Sequence, residues 1–253
     1  MCIRDSHIAV TDNASPGIYI SQKNVSRRSA DIQVKVKVDN AGLQPVPVTL
    51  ENFIYTQDGK LVAADRQPLD LTTQGTQAVV SSFRLNRPHL WQGRQDPYLY
   101  KVVARLSQDG RVLDEVTQPL GIRKYEMIAG KGFFLNGEHM KLKGVSRHQD
   151  RENLGNALTL KEHAEDIEII KEVGANSIRL AHYQHDEKFY DLCDEEGFLV
   201  WAEIPVISRF SRKKQPQARL MLEELIKQNY NHPSIYCWSC LLYTSDAADD
   251  SLR

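Results

Sequence analysis

The period of the apolar positions changes part-way along the chain, and the change divides it in two. In "DIQVKVKVD", Ile32, Val34, Val36 and Val38 alternate with Gln33, Lys35 and Lys37. That period of two belongs to a strand with one wet face. "VPVTLENFIYT", "GKLVAAD", "TQAVVSSFRL", "YLYKVVARLSQDG" and "RVLDEVTQPL" follow, separated by Gly, Pro, Asn and Asp. Asp58-Gly59 and Asp109-Gly110 are hairpin signals, because glycine takes a positive φ there at little cost. About seven short strands between His7 and Gly121 predict an immunoglobulin-like β-sandwich. Trp91, Tyr98 and Tyr100 are assigned to its core rather than to a sugar platform.

After Gly121 strands and helices alternate. "FFLNGEHMKLKGV" reads as a small hairpin turning at Asn136-Gly137. In "TLKEHAEDIEIIKEVG", Leu160, Ala164, Ile167 and Ile170 line one helical face, Thr159 and Glu162 form a capping-box pattern, and Gly174 ends the helix. "NSIRLAH", "DEKFYDLCDEEG", "FLVWAEIP", "QARLMLEELIKQNY" and "SIYCWS" continue the alternation, which is the grammar of a parallel sheet with buried strands. No Gly-rich phosphate fingerprint follows the first strand, which argues against a dinucleotide fold. The fold class expected is therefore multidomain β plus α/β. The sandwich spans 7–121, and the N-terminal half (about four βα units) of a TIM-type β/α barrel spans 122–239.

Polar residues gather at the C-terminal ends of successive predicted strands: Arg147 with His148, Arg179 with His182, and Glu203. In a β/α barrel that end carries the chemistry. A lone strand-end histidine is commonly a structural hydrogen-bonder, but His148 and His182 at equivalent ends of neighbouring strands face one pocket and suit a polyhydroxyl ligand. Arg179 needs a carboxylate, either in an internal salt bridge or as an arginine that keeps a catalytic carboxylate ionised. Glu203 fits a supporting acid or an acid/base equally well.

Composition narrows the partners. With 253 residues, 41% hydrophobic, 26% charged and a net charge of -1, the chain offers no electrostatic case for nucleic acid or an acidic membrane. No apolar run reaches the roughly 20 residues of a spanning helix. Cys2, Cys193, Cys237 and Cys240 make no metal-like pair of pairs, and Cys237-x-x-Cys240 begins in an apolar strand. The basic run "SRFSRKKQ" reads as a solvated loop.

"LWQGRQDPYLY", "GIRKYEM", "FFLNGEHMKLKGV", "GVSRHQD", "NSIRLAHYQHDEKFYDLCDEEGFLVWAEIP" and "NHPSIYCW" together resemble glycoside hydrolase family 2, in particular its β-galactosidases, over nearly all of His7–Ser239. The resemblance implies an immunoglobulin-like domain followed by a β/α barrel, and a terminal β-D-galactoside as substrate. It also implies retention of configuration through two glutamates standing roughly 5–5.5 Å apart. Position by position, His148 and His182 resemble the family's sugar-contacting histidines. Arg179 resembles the arginine that steadies the nucleophile, and Glu203 an acidic residue beside the site. The family's magnesium ligands would fall at Ile207 and Arg209, so no cofactor is expected. "RHQD" favours a galactoside, because a β-glucuronidase more often has Lys at the place of Arg147. The alternatives are a β-glucuronidase-like member, a non-catalytic carbohydrate-binding or structural sandwich, and a pseudoenzyme. A homo-oligomeric full-length parent, and its cytoplasmic or periplasmic location, stay open.

The acid/base glutamate is expected in a Trp-x-x-x-Asn-Glu pattern after Trp238, where Leu242 and Tyr243 stand instead. The two ends of the chain are related through the genetic code. "CLLYTS" can be encoded by TGT CTC TTA TAC ACA TCT, whose reverse complement, read from its ATG, gives Met-Cys-Ile-Arg-Asp, as at the chain's start. Residues 1–6 and 240–253 are therefore expected to be adapter-derived, the chain a fragment, and both catalytic glutamates absent. Other codons at these ends in the source contig would contradict this. Four barrel strands leave open edges, so the chain is expected to aggregate and to turn over no aryl β-galactoside. A measurable rate contradicts the second expectation.

Overall fold

The computed structural model describes residues 7–206 and 212–239. The expectations for 1–6, Ile207, Arg209, Cys240, Leu242, Tyr243 and the rest of 240–253 lie outside the described residues, as does the first half of the basic run, 208–211. The described residues form two compact units, one of residues 7–91 and 98–124, the other of residues 92–97, 125–206 and 212–239.

The first unit has eight strands: β1 (Ile8–Val10), β2 (Ile18–Lys23), β3 (Ser29–Asn40), β4 (Val46–Tyr55), β5 (Leu61–Leu71), β6 (Gly75–Asn86), β7 (Tyr100–Gln108) and β8 (Arg111–Leu120). Strand β3 pairs antiparallel with β1 and β2 on one side and β6 on the other; the second sheet runs β5-β4-β7-β8. The alternation of β3 is realised in full. Ile32, Val34, Val36 and Val38 have no exposed surface, and they pack with Leu50, Ile54, Val102 and Leu106 of the other sheet. Tyr100 belongs to this core and Tyr98 packs against it, in line with their assignment, while Trp91 is fully buried but is not part of the same cluster.

The second unit begins with an antiparallel sheet of β9 (Tyr125–Ile128), β10 (Gly132–Leu135) and β11 (Glu138–Met140), in the order β9-β10-β11. Asn136 and Gly137 both take positive φ, 52° and 86°, at its hairpin turn. Then β12 (Gly144–Arg147), α1 (Leu160–Glu172), β13 (Ser177–Leu180), α2 (Glu187–Glu196), β14 (Leu199–Glu203), α3 (Gln215–Gln228) and β15 (Ile235–Ser239) follow. The four strands lie parallel in the order β12-β13-β14-β15.

Thr159 caps α1, with Glu162 completing the capping box. The buried face of α1 differs from the one its pattern suggests. His163, Ile167 and Ile170 are buried, whereas Leu160 is 55% exposed and Ala164 only half-buried. The reason is polar: His163 turns inward to reach the buried Arg147 guanidinium. Leu160, in the first turn, is left outside.

Gly197 ends α2 in the left-handed region at φ 74°. Gly93, on the short segment Gln92–Pro97 that belongs to this unit, comes so close that a Cβ on Gly197 would stand 2.2 Å from its carbonyl. Arg94 of that segment donates to the Glu196 carbonyl at 2.7 Å and stacks on Phe198 at 4.5 Å. Gly174, at the end of α1, has a similar φ of 72° with open space around it. Gly174→Ala is expected to lower stability by about 1 kcal/mol, the left-handed penalty alone. Gly197→Ala adds a backbone clash and is expected to cost roughly 3 kcal/mol or more. Thermal melts of the two variants, with equal losses as the contrary result, check this.

Candidate active site

Register and period two decide which strand-end side chains meet. Ser146 pairs with Arg179, Arg179 with Trp201, and Trp201 with Cys237, so these share one face of the parallel sheet. Arg147, Leu180, Ala202 and Trp238 occupy the other. Glu203, two residues after Trp201, lies on the face of Arg179.

The two form a fork. Arg179 Nε donates to Glu203 Oε1 at 2.7 Å, and Nη2 donates to Oε2 at 3.2 Å. The internal salt bridge foreseen for Arg179 is therefore present, and Glu203, with 7% of its side chain exposed, is its carboxylate. His182 joins through Nδ1, 3.1 Å from both Arg179 Nη2 and Glu203 Oε2. If Nδ1 accepts from the guanidinium, Nε2 presents an N–H. If Nδ1 donates to the carboxylate, Nε2 presents a lone pair. A ring so placed can answer either sense of a hydroxyl.

His148, one residue beyond β12, is exposed, and its ring lies 5.2 Å from that of His182, edge to face. The loops carrying the two rings are tied together. Tyr183 Oη accepts from Gln149 N at 3.0 Å, and Gln149 Oε1 accepts from Asp186 N at 2.7 Å. His148, Arg179, His182 and Glu203 are thus brought to one end of one sheet. Nη1 of Arg179 has no partner among the described residues.

Arg147 is the exception to the strand-end grouping. Its side chain lies on the opposite face, 6% exposed, with Nε and Nη2 donating to Asp166 Oδ2 at 2.9 and 2.7 Å. Nη1 donates to His185 Nδ1 and Nη2 to His163 Nδ1, at 3.1 and 3.0 Å, and the guanidinium lies 3.8 Å over the Phe189 ring. Arg147 lies on the face opposite Arg179 and does not face the His148–His182 cluster, so it makes no direct contact there. The signal was present in the sequence, since Arg147 is two residues from the core-facing Val145.

A second buried pair went unforeseen. Asp194 Oδ2 lies 2.6 Å from His232 Nδ1, and its Oδ1 accepts from Ser234 N at 3.0 Å, pinning the chain that enters β15. Burial works against a charge on His232, but the Asp194 carboxylate prevails and lifts its pKa. A polar "NHPS" just before an apolar strand is the only sequence trace of this contact. No group of three or more potential metal ligands occurs among the described residues.

Two family profiles match the chain: "Glycosyl hydrolases family 2" over residues 15–123, and "Glycosyl hydrolases family 2, TIM barrel domain" over 127–242. A β-glucuronidase of Bacteroides fragilis is 37% identical over 99% of this chain and 38% of its own length. A crystal structure from Bacteroides fragilis named "putative beta-galactosidase" superposes with a TM-score of 0.91 at 56% identity, over 93% of this chain and 35% of that one. A Bacteroides uniformis β-glucuronidase, covalently bound to cyclophellitol-6-carboxylate aziridine, gives 0.88 at 33% identity over 93% and 29%. The chain therefore spans between about a quarter and two fifths of the length of these relatives.

Burial, and then the Arg147 charge, push His185 from its ordinary 6.5 down to about 3. The unfolded chain therefore binds a proton that the fold refuses between those values. His185 contributes stability that is complete above about pH 6.5 and is lost as the pH falls towards 3. Denaturant midpoints measured from pH 7 to pH 4 should fall less steeply for His185→Gln than for the parent chain. Parallel slopes contradict the assignment.

Proposed function

The chain belongs to glycoside hydrolase family 2, and from that premise we propose that the full-length polypeptide carrying it is a retaining β-glycosidase acting on terminal β-D-galactosides or β-D-glucuronides. The observation that carries this reading is the convergence of His148, His182 and the Arg179–Glu203 pair at the C-terminal ends of neighbouring parallel strands. Two imidazoles meeting at 5.2 Å beside a partly buried ion pair suit a ring of hydroxyls.

In this reading His148 and His182 hold ring hydroxyls, and Glu203 fixes Arg179 and orients His182. Nη1 of Arg179, which has no partner among the described residues, holds the nucleophilic carboxylate ionised. A retaining mechanism needs two carboxyl groups about 5–5.5 Å apart, one as nucleophile and one as acid/base. Among the described residues Glu203 is the one carboxylate in contact with Arg179 or His182, and it is already forked to the arginine. The double displacement is accordingly assigned to the full-length polypeptide, and the chain by itself is expected to be inactive.

The sugar is the open choice. Within "RHQD", which favours a galactoside, Arg147 faces away from the cluster. Relatives carry both names: a Bacteroides fragilis β-glucuronidase at 37% identity and a Bacteroides ovatus β-galactosidase at 30%. Side-by-side hydrolysis of aryl β-galactoside and aryl β-glucuronide by the full-length polypeptide decides between them. Turnover of neither sinks the proposal. With the better substrate, Arg179→Ala is expected to lower kcat/KM about 100-fold, roughly 2.7 kcal/mol of transition-state stabilisation. A loss below threefold contradicts its role.

A further inference from the structure

We propose that Arg147 is a positioning residue: acting through His185, it sets the backbone of the Ala181–Asp186 loop and thereby the ring of His182. The proposal rests on the glycosidase reading for its kinetic consequence, and on geometry alone for the rest.

A guanidinium has donors and no acceptor. Both imidazoles that meet Arg147 must therefore accept through Nδ1, which makes His163 and His185 neutral with the proton on Nε2. For His185 that proton has a destination, since Nε2 lies 3.2 Å from the Ala181 carbonyl. Ala181 is joined directly to His182. An unbroken path thus runs from Asp166 through Arg147, His185 and the Ala181 carbonyl to the residue whose ring meets Glu203 and His148. The backbone is tied at the same place, where Ala181 N donates to the Arg147 carbonyl at 3.0 Å.

The chemistry of the path is restrictive. Arg147 uses three nitrogens on three partners while stacked on Phe189. A lysine is a point charge and cannot reproduce that fork. A buried cation is an expensive way to fill space, and an apolar side chain of similar volume commonly serves stability as well or better. What the cation adds here is direction, fixing the tautomer of His185 and hence the position of one carbonyl. The depressed pKa of His185, about 3, keeps that tautomer neutral in near-neutral solution.

The test uses the full-length polypeptide carrying this chain, with Arg147→Lys, His185→Leu and His185→Gln. Kinetics on aryl β-galactoside and aryl β-glucuronide are paired with hydrogen exchange of peptides covering 181–186, α1 and α2. His185→Leu is expected to lower kcat at least tenfold with KM within threefold. Exchange should quicken in 181–186 but not in α1 or α2, and His185→Gln, which can still donate, should recover most of the rate. Wild-type kcat with unchanged loop exchange overturns the proposal. So does quickened exchange spread equally over both helices, or the lack of any rescue by glutamine. If His185→Leu does not fold, Arg147→Lys is read by the same two measures. If the wild type turns over neither glycoside, the glycosidase reading fails, and loop exchange in Arg147→Lys alone decides the positioning.

Discussion

The forked ion pair between Arg179 and Glu203 is the interaction on which the strand-end cluster depends. It joins β13 to β14 across their shared face, and it gives His182 a donor and an acceptor at one nitrogen. The buried Glu203 carboxylate would be strongly destabilising without its partner, while Arg179 keeps a quarter of its side chain exposed. Paired, each fixes the other's rotamer, and the short parallel strands hold both at the sheet's end. The partly buried pair is thus better understood as a device for geometry than as a source of stability.

Two arginines on opposite faces divide the labour. Arg179 lies with the histidines, whereas Arg147, one strand away, is enclosed with Asp166, His163, His185 and Phe189 between the sheet and its helices. Both are committed to carboxylates, but only one adjoins the proposed sugar pocket. The other acts on the loop behind it. Asp194 and His232 make a comparable anchor before β15, so three successive strand connections of this unit are held by buried polar contacts and not by apolar packing alone.

Much of this was legible in the residues. The period-two run from Ile32 to Val38 specified a strand and its buried face, and Thr159 with Glu162 specified where α1 starts. The positions of His148, Arg179, His182 and Glu203 followed from reading strand ends. What escaped the reading were pairings between residues distant in sequence. Nothing near Arg147 announces Asp166 or His185, and nothing near Asp194 announces His232. Helix periodicity alone placed Leu160 inside and gave His163 no role, because a buried histidine is explained only by the cation it meets. Arg147 was grouped with His148 although neighbouring strand residues point to opposite faces.

The central claim is that a sugar ring lies over His148 and His182, with the Arg179–Glu203 pair beside it. A crystal structure of the full-length polypeptide with a galactose- or glucuronate-shaped ring analogue tests it most directly. The account predicts ring hydroxyls within about 3.2 Å of the Nε2 atoms of both histidines, with the Arg179–Glu203 fork intact. An analogue bound elsewhere, or one that touches neither histidine, would contradict it.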